Sequence, residues 1–328
     1  MLFIDNKNIT DPRINLAIEE YALKNLDIDS TYLLFYVNEP SIIIGKNQNT
    51  IEEINKEYVE ENGIHVVRRL SGGGAVYHDF GNLNFSFITK DDGESFSNFR
   101  KFTQPVIDAL AKIGVEATLS GRNDIHVGER KISGNAQYTT KGRMFSHGTL
   151  LLDSEIEHVV KALNVKDEKI KSKGIKSIRS RVANINEFVH EKLSMDQFKQ
   201  LLLTSIFGEG DVQSYNLTDE DWNGVQAISE ARYNNWDWNY GMSPKFDIER
   251  SKRFDAGTID IRLNVSKGLI KDCKIYGDFF GVGDVEDVQK KLIGVKYEKA
   301  AINAVVEEID TNDYFGKIPK ESIVELMY

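Results

Sequence analysis

Residues 66–87 read VVRRLSGGGAVYHDFGNLNFSF, and this stretch decides the fold class. IHVVRRL (64–70) and LNFSFIT (83–89) are strands, and the connection between them is glycine-rich with no helical period. Strands joined in this way, mixed with helices but lacking a regular β-α-β alternation, predict an α+β fold rather than a doubly wound sheet. Three consecutive glycines, Gly72, Gly73 and Gly74, let the backbone approach an anion closely and turn its N–H groups inward. Arg68 and Arg69 add fixed positive charge with geometry suited to phosphate or carboxylate. No G-K-[ST] follows and no G-x-G-x-x-G is present, so neither a Walker A loop nor a dinucleotide fingerprint applies. Two readings stay open on this stretch alone: a nucleotide or acyl-phosphate cradle, and a glycine-rich hairpin with surface arginines.

Working outward, Asp11–Asn25 carries apolar residues at helical spacing with Pro12 in the N1 position. TYLLFYVNEPSIIIG (31–45) reads as a hairpin broken at Asn38-Glu39-Pro40. Thr50–Glu61 reads as one helix with Thr50 and Glu53 as a capping box, and Asn98–Ile113 as another closed by Gly114. GRNDIHVGERKISGNAQ (121–137) places Asn123, Asp124 and Lys131 beside an expected small-residue turn at Ser133-Gly134, and the strand HGTLLLD (147–153) follows. Helices are expected over Glu155–Leu163 and Met195–Phe207. NNWDWNYGMSPKF (234–246) has no clean period and reads as the end of a large domain. Alternating strands over 253–280, turning at Ser266-Lys267-Gly268, and two helical stretches then make a small domain. The expected division is a catalytic domain over 1–246 and an accessory domain over 247–328.

The 328 residues hold 41 Lys+Arg against 51 Asp+Glu, a net charge of -10, which disfavours a general nucleic-acid binder. One cysteine, Cys273, excludes an internal disulfide and a thiolate metal cluster. The histidines form neither H-x-H nor H-E-x-x-H, so no zinc site is expected. Without a basic leader or an apolar run near the ~20 residues of a membrane span, the chain is expected to be cytoplasmic, away from the membrane. Charge is uneven: KDEKIKSKGIKSIRSR (166–181) has seven positive residues and two negative ones, which alone describes a solvated basic loop.

Seven segments in order, IIIGKNQN (42–49), RRLSGGGAVYHDFGNLNFSF (68–87), GRNDIHV (121–127), RKISGNAQ (130–137), HGTLLLD (147–153), GIKSIRSRV (174–182) and WDWNYGMSPKF (236–246), resemble those of lipoate-protein ligases. The resemblance covers nearly the whole chain. It implies a large mixed-sheet catalytic domain of the biotin/lipoate-ligase kind with a small α+β C-terminal domain. The implied activity joins lipoate and ATP into lipoyl-AMP, releases pyrophosphate, and passes the lipoyl group to a lysine of a carrier domain. The implied carriers are 2-oxoacid dehydrogenase E2 subunits or the glycine-cleavage H protein, and octanoate is an implied secondary substrate.

Residue by residue, Lys131 matches the family lysine that touches both nucleotide and lipoate. Arg69 matches the ATP-contacting arginine, and Gly74, Ala75, Val76 and Tyr77 match the nucleotide-binding stretch. Arg69, Ser71, Gly73 and Lys131 are the implied lipoate contacts. His78, Asp79 and Asn84 fall near the phosphates, where an acidic group could ligate Mg²⁺, although a hydrogen-bonded turn accounts for His78-Asp79 equally well. Arg179 and Arg181 fall in the implied adenylate loop, and Asp124 is the candidate proton acceptor for transfer. Two rivals remain. A transferase of the same fold would need a cysteine nucleophile, and Cys273 lies outside the motifs. A non-catalytic binding protein for lipoate or a lipoyl domain would not need Lys131 and Arg69 together.

Overall fold

The computed structural model describes residues 1–163, 181–208, 210–240, 248–266 and 268–328. Its contacts divide the chain into two units, and the division is not a single cut. The first comprises Met1–Ile43, Glu52–Arg68 and Val76–Asn239; the second comprises Ile44–Ile51, Arg69–Ala75 and Tyr240–Tyr328. The expected domain boundary at 246/247 falls within residues 241–247, outside the described residues.

The first unit is mixed α+β. Strand β1 (Leu2–Asp5) leads to α1 (Pro12–Asn25), whose start is fixed by the Asp11 carboxylate accepting from the Arg13 amide at 2.8 Å. Strands β2 (Tyr32–Val37) and β3 (Ser41–Ile44) follow, then α2 (Thr50–Glu53), α3 (Lys56–Glu61), β4 (His65–Arg68), β5 (Val76–His78), β6 (Asn82–Lys90) and α4 (Phe99–Ala111). Next come β7 (Ala117–Ser120), β8 (Asp124–Val127), β9 (Arg130–Thr140), β10 (Arg143–Leu151), α5 (Ile156–Ala162), α6 (Met195–Phe207), β11 (Ser214–Tyr215), α7 (Asp219–Ile228) and α8 (Trp236–Asn239). Eight strands form one sheet in the order β11-β1-β2-β6-β10-β9-β8-β7, and β4-β3-β5 form a smaller one.

Three local expectations are corrected. Residues 31–45 are not a hairpin: β2 pairs in parallel with β1 and antiparallel with β6, while β3 pairs with β4 and β5 in the other sheet. All six β2 residues are buried, as a strand with neighbours on both edges requires. The 50–61 helix is two helices, because Asn55 withdraws from the helical ladder. Its amide donates to Ala162 O at 2.9 Å and its Oδ1 accepts from Tyr58 N at 3.4 Å, starting α3. Ser133-Gly134 is no turn but lies inside β9, and the reversal between β8 and β9 falls instead at Gly128, where φ is 59°.

The sheet's alternation separates two chemistries. On β6, Leu83, Phe85 and Phe87 point into a core with Phe102, Val106 and Leu110 of α4 and Phe198 and Leu202 of α6. Asn82, Asn84 and Ser86 point to the other face and are buried nevertheless. Burying three polar side chains on one strand is costly unless that face has polar work to do.

In the second unit, β12 (Ile248–Phe254), β13 (Gly257–Ser266) and β14 (Leu269–Gly277) make an antiparallel meander. The two helical stretches expected after it are four helices, α9 (Val285–Leu292), α10 (Lys299–Glu307), α11 (Thr311–Phe315) and α12 (Lys320–Met327), interrupted at Gly294 and Gly316 with φ of 82° and 70°. Cys273 is buried in this unit's core with Ile259, Ile275 and Val288. No helix among the described residues is long and apolar enough to cross a membrane.

Candidate functional site

The polar face of the large sheet carries a row of directly opposed residues across five strands. Tyr36 of β2 pairs with Asn84 of β6, and Asn84 pairs with Thr149 of β10. Thr149 Oγ1 accepts from Gly134 N at 3.1 Å, and Gly134 of β9 pairs with Asp124 of β8. Opposed residues share a face, so the row aims together. The neighbouring row, Leu34-Ser86-His147-Ala136, carries His147, whose Nδ1 lies 2.9 Å from Glu19 Oε1 of α1.

Lys131 and Asp124 meet on the first row. A shift of register between Ile125 and His126 lets Lys131 reach back, and its Nζ lies 2.9 Å from Asp124 Oδ1. Gly134 makes room for it: a Cβ there would stand 2.8 Å from Lys131 Nζ. The two side chains keep 34% and 32% of their surface exposed, so both remain open to a ligand. Lys131 O accepts from Ala183 N at 2.9 Å, tying the strand to the residues just after the basic segment. Arg181 belongs to that anchor, and its buried Nε has no hydrogen-bond partner among the described residues. A buried guanidinium N–H with no such partner suits an anionic ligand. Arg179 lies outside the described residues.

His78 ends β5, and Asp79 follows it. Asp79 Oδ1 accepts from Gly81 N at 2.9 Å and Oδ2 from Glu155 N at 2.8 Å, so one carboxylate oxygen holds the local turn and the other the start of α5. Asn84 Nδ2 donates to Tyr36 O at 3.2 Å and its Oδ1 accepts from Asn82 at 3.1 Å. No group of three or more metal-binding side chains occurs among the described residues. Tyr77 stacks on His158 with centroids 6.3 Å apart, and burial together with the charge of Asp79 pushes its hydroxyl pKa well above the usual tyrosine range.

The glycine loop belongs to the second unit, and its arginine braces it. Arg69 Nη2 donates to Gly72 O at 2.7 Å and Gly74 O at 2.9 Å, and Nε to Ser71 Oγ at 2.9 Å. Arg68, expected to add charge at the loop, is instead bound within the first unit: Nε donates to Trp238 O and its backbone N–H to Asn239 Oδ1. The three glycines differ. A Cβ at Gly72 would stand 2.5 Å from Phe279 O, and one at Gly73, where φ is 94°, 3.0 Å from the Phe280 ring. Around Gly74 nothing lies within 4 Å. Packing thus dictates the first two glycines, and only Gly74 offers open backbone to an anion. In the IIIGKNQN segment, Asn47 O accepts from Gly277 N at 2.5 Å and Lys46 pairs with Asp284 at 3.3 Å.

Of the residues expected at the site, Lys131, Asp124 and Asn84 share one face, and Arg69, Ser71, Gly73 and Gly74 share one loop. Missed were Gly134 as the seat of the Lys131 side chain, Thr149, and the Glu19–His147 pair. The alternation of HGTLLLD carried a signal for Thr149 and His147, since both fall on the face opposite Leu150.

Two family models match. The lipoyl protein ligase A/B catalytic domain covers residues 11–207, and the bacterial lipoate protein ligase C-terminus covers 243–327. The chain is 65% identical over 331 residues to lipoate-protein ligase LplJ of Bacillus subtilis and 55% identical over 327 residues to lipoate–protein ligase 1 of Staphylococcus aureus, covering all of both chains in each case. Among solved structures, P. falciparum LipL1 in complex with lipoate is similar at TM-score 0.79 and 28% identity, with 94% of each chain covered. A lipoate-protein ligase A bound with ATP is similar at TM-score 0.64 and 28% identity, over 74% of this chain and 99% of that one. The bipartite ligase of Thermoplasma acidophilum, described with its E2 lipoyl domain, is similar at TM-score 0.65 and 32% identity, over 75% and 98%.

Proposed function

The chain belongs to the lipoate-protein ligase family and is an enzyme of that class, and we propose that it activates free lipoate with ATP before acylating a carrier lysine. In the first step a lipoate carboxylate oxygen attacks the α-phosphorus, forming lipoyl-AMP and expelling pyrophosphate. In the second, the carrier amine attacks the acyl carbon, forming an amide and expelling AMP.

The observation that carries this reading is the Lys131 ammonium, seated over Gly134 and paired with Asp124 on the polar row. A compact, mobile cation there neutralises the crowded charge on carboxylate and α-phosphate, then the oxyanion of the transfer step. Gly74, Ala75, Val76 and Tyr77 supply the nucleotide stretch, with Arg69, Ser71 and Gly73 shaping the loop and meeting the acyl end. His78 and Asn84 face the phosphates, Mg²⁺ arrives with the nucleotide as substrate, and Arg181 stabilises the adenylate. The incoming lysine, with an unperturbed pKa of ~10.4, must lose a proton, and Asp124 is the acceptor. Residues 1–246 carry the chemistry, 247–328 are accessory, and the carriers are lipoyl domains of 2-oxoacid dehydrogenase E2 subunits or the glycine-cleavage H protein.

A thiol route gains no support from Cys273, which is 2% exposed in the core of the second unit, with burial pushing its thiol pKa up to about 12. Incubation with MgATP and lipoate tests the ligase reading. Pyrophosphate and lipoyl-AMP should accumulate, a lipoyl domain should then gain the acyl group, and absence of pyrophosphate at saturating lipoate would overturn it.

A further inference from the structure

Four buried polar side chains of the first unit, Asn6, Asn15, Asn38 and His78, form one continuous chain with a fixed direction. Asn6 Nδ2 donates to Ile9 O and to Asn15 Oδ1, both at 2.9 Å. Asn15 Nδ2 donates to Ile9 O at 2.9 Å, to Asn38 Oδ1 at 2.9 Å and towards Val37 O at 3.4 Å. Asn38 Nδ2 then lies 3.0 Å from His78 Nδ1. Backbone carbonyls settle the orientation. Were the Asn15 amide reversed, its oxygen would face the Ile9 and Val37 oxygens, so its nitrogen must stand where it does. That presents a donor to Asn38 Oδ1, which turns the Asn38 NH₂ towards the ring. His78 Nδ1 has only its lone pair to offer such a donor, and the ring proton belongs on Nε2.

We infer that Asn38 is a positioning residue that fixes His78 as the neutral tautomer protonated on Nε2. Asn15 and the Ile9 carbonyl set the direction of the chain. The inference rests on the proposed ligase reading only for its consequence, that His78 faces the nucleotide phosphates. An Nε2–H imidazole offers a donor to a phosphate oxygen that reaches the buried Nε2, whereas the other tautomer turns a lone pair on the anion. The amide chain thus readies the donor before nucleotide arrives, with no proton taken up on binding.

Histidine-ring ¹⁵N spectroscopy of the full chain without nucleotide tests this apart from turnover. The wild type should show a pyridine-like Nδ1 and a protonated, pyrrole-like Nε2 for His78, assigned against His78→Gln. Asn38→Asp keeps the shape but turns an acceptor to the ring, so the proton should move to Nδ1. In that variant the KM for ATP should rise about tenfold or more, the loss of one charge-assisted hydrogen bond, while kcat at saturating ATP falls less than twofold. A wild-type ring protonated on Nδ1 overturns the inference even if Asn38→Asp does not fold. A folded Asn38→Asp protein with unchanged tautomer, or with the tautomer moved and the KM for ATP unchanged, overturns it as well. Failure of the ligase reading is separate, since it shows as no pyrophosphate release from the wild type.

Discussion

Lys131 Nζ stands 2.9 Å from Asp124 Oδ1, although the two residues come from different strands and are not directly opposed in register. The pair gives the cation a resting place beside the carboxylate we propose as the acceptor for the proton that transfer releases. Asp124→Asn keeps a polar neighbour for Lys131 but removes the acceptor. Pyrophosphate release should survive, while acyl transfer from preformed lipoyl-AMP to a lipoyl domain should slow by about 10²-fold or more. Unchanged transfer in a single-turnover assay would remove Asp124 from the mechanism.

Gly134→Ala tests the seat of Lys131. The new methyl meets the far end of a flexible side chain, so the fold gives way easily and thermal unfolding should stay near wild type. The ammonium must move by about an ångström, which costs on the order of 10²-fold in adenylate formation. Pyrophosphate-release kinetics beside a melting curve separate the two effects.

The triple glycine should respond unequally. Gly72→Ala drives a methyl against Phe279 O, a backbone atom that cannot swing aside, and should lower the melting temperature and speed amide exchange over residues 70–75. Gly74→Ala meets open space, so stability should hold while the KM for ATP rises. Equal loss of stability in both variants would contradict the division of roles.

Asp221 is a pH-dependent clamp between α1, β11 and the start of α7. Burial alone would raise its pKa, but the Thr218 N–H at 2.8 Å and the hydroxyls of Tyr21 and Tyr215 at 2.8 and 2.9 Å hold it below the usual range. The stability it contributes is complete above about pH 4 and is lost as pH falls through the depressed folded value. Tyr21 and Tyr215 act at the other end. Burial first, and then the bond to Asp221, pushes each up to about 12, so their contribution is complete below about pH 10 and is lost as pH rises from there. Urea titrations across pH should show Asp221→Asn less stable at pH 7 with a flatter acid limb. An acid limb as steep as wild type would refute the clamp.

Cys273 should resist thiol reagents at pH 8 in the folded protein and react at the rate of unfolding, because burial withholds both the thiolate and access to it. Labelling followed by mass spectrometry at increasing urea checks this. Rapid labelling under native conditions would show that the second unit opens easily.

Local chemistry explains what the sequence revealed. Asp11 and Pro12 fix a helix start within four residues, and alternation in LNFSFIT already separates a core face from a polar one. Lys131 and Asp124 stood out because they fall in specific motifs. Partners distant in sequence were harder to see. Tyr32–Val37 and Ser41–Ile44 look like a hairpin because the turn residues between them are local, yet the neighbours that bury them are β1, β6, β4 and β5. The glycines looked alike because what distinguishes Gly72 from Gly74 is Phe279, far downstream. Arg69 looked like a free charge for a different reason: three of its acceptors are close in sequence, but only the folded loop turns them towards its guanidinium.

The packing of Gly72 and Gly73 on Phe279 and Phe280 also orders events during synthesis. The glycine loop leaves the ribosome early, before most of the first unit has been made. Its packing partners exist only after β14 has been made, so a nascent chain ending before it holds the Lys131 face without a finished loop. The finished glycine loop is therefore a late event in the life of the polypeptide, and a strand made much later completes one of its early segments.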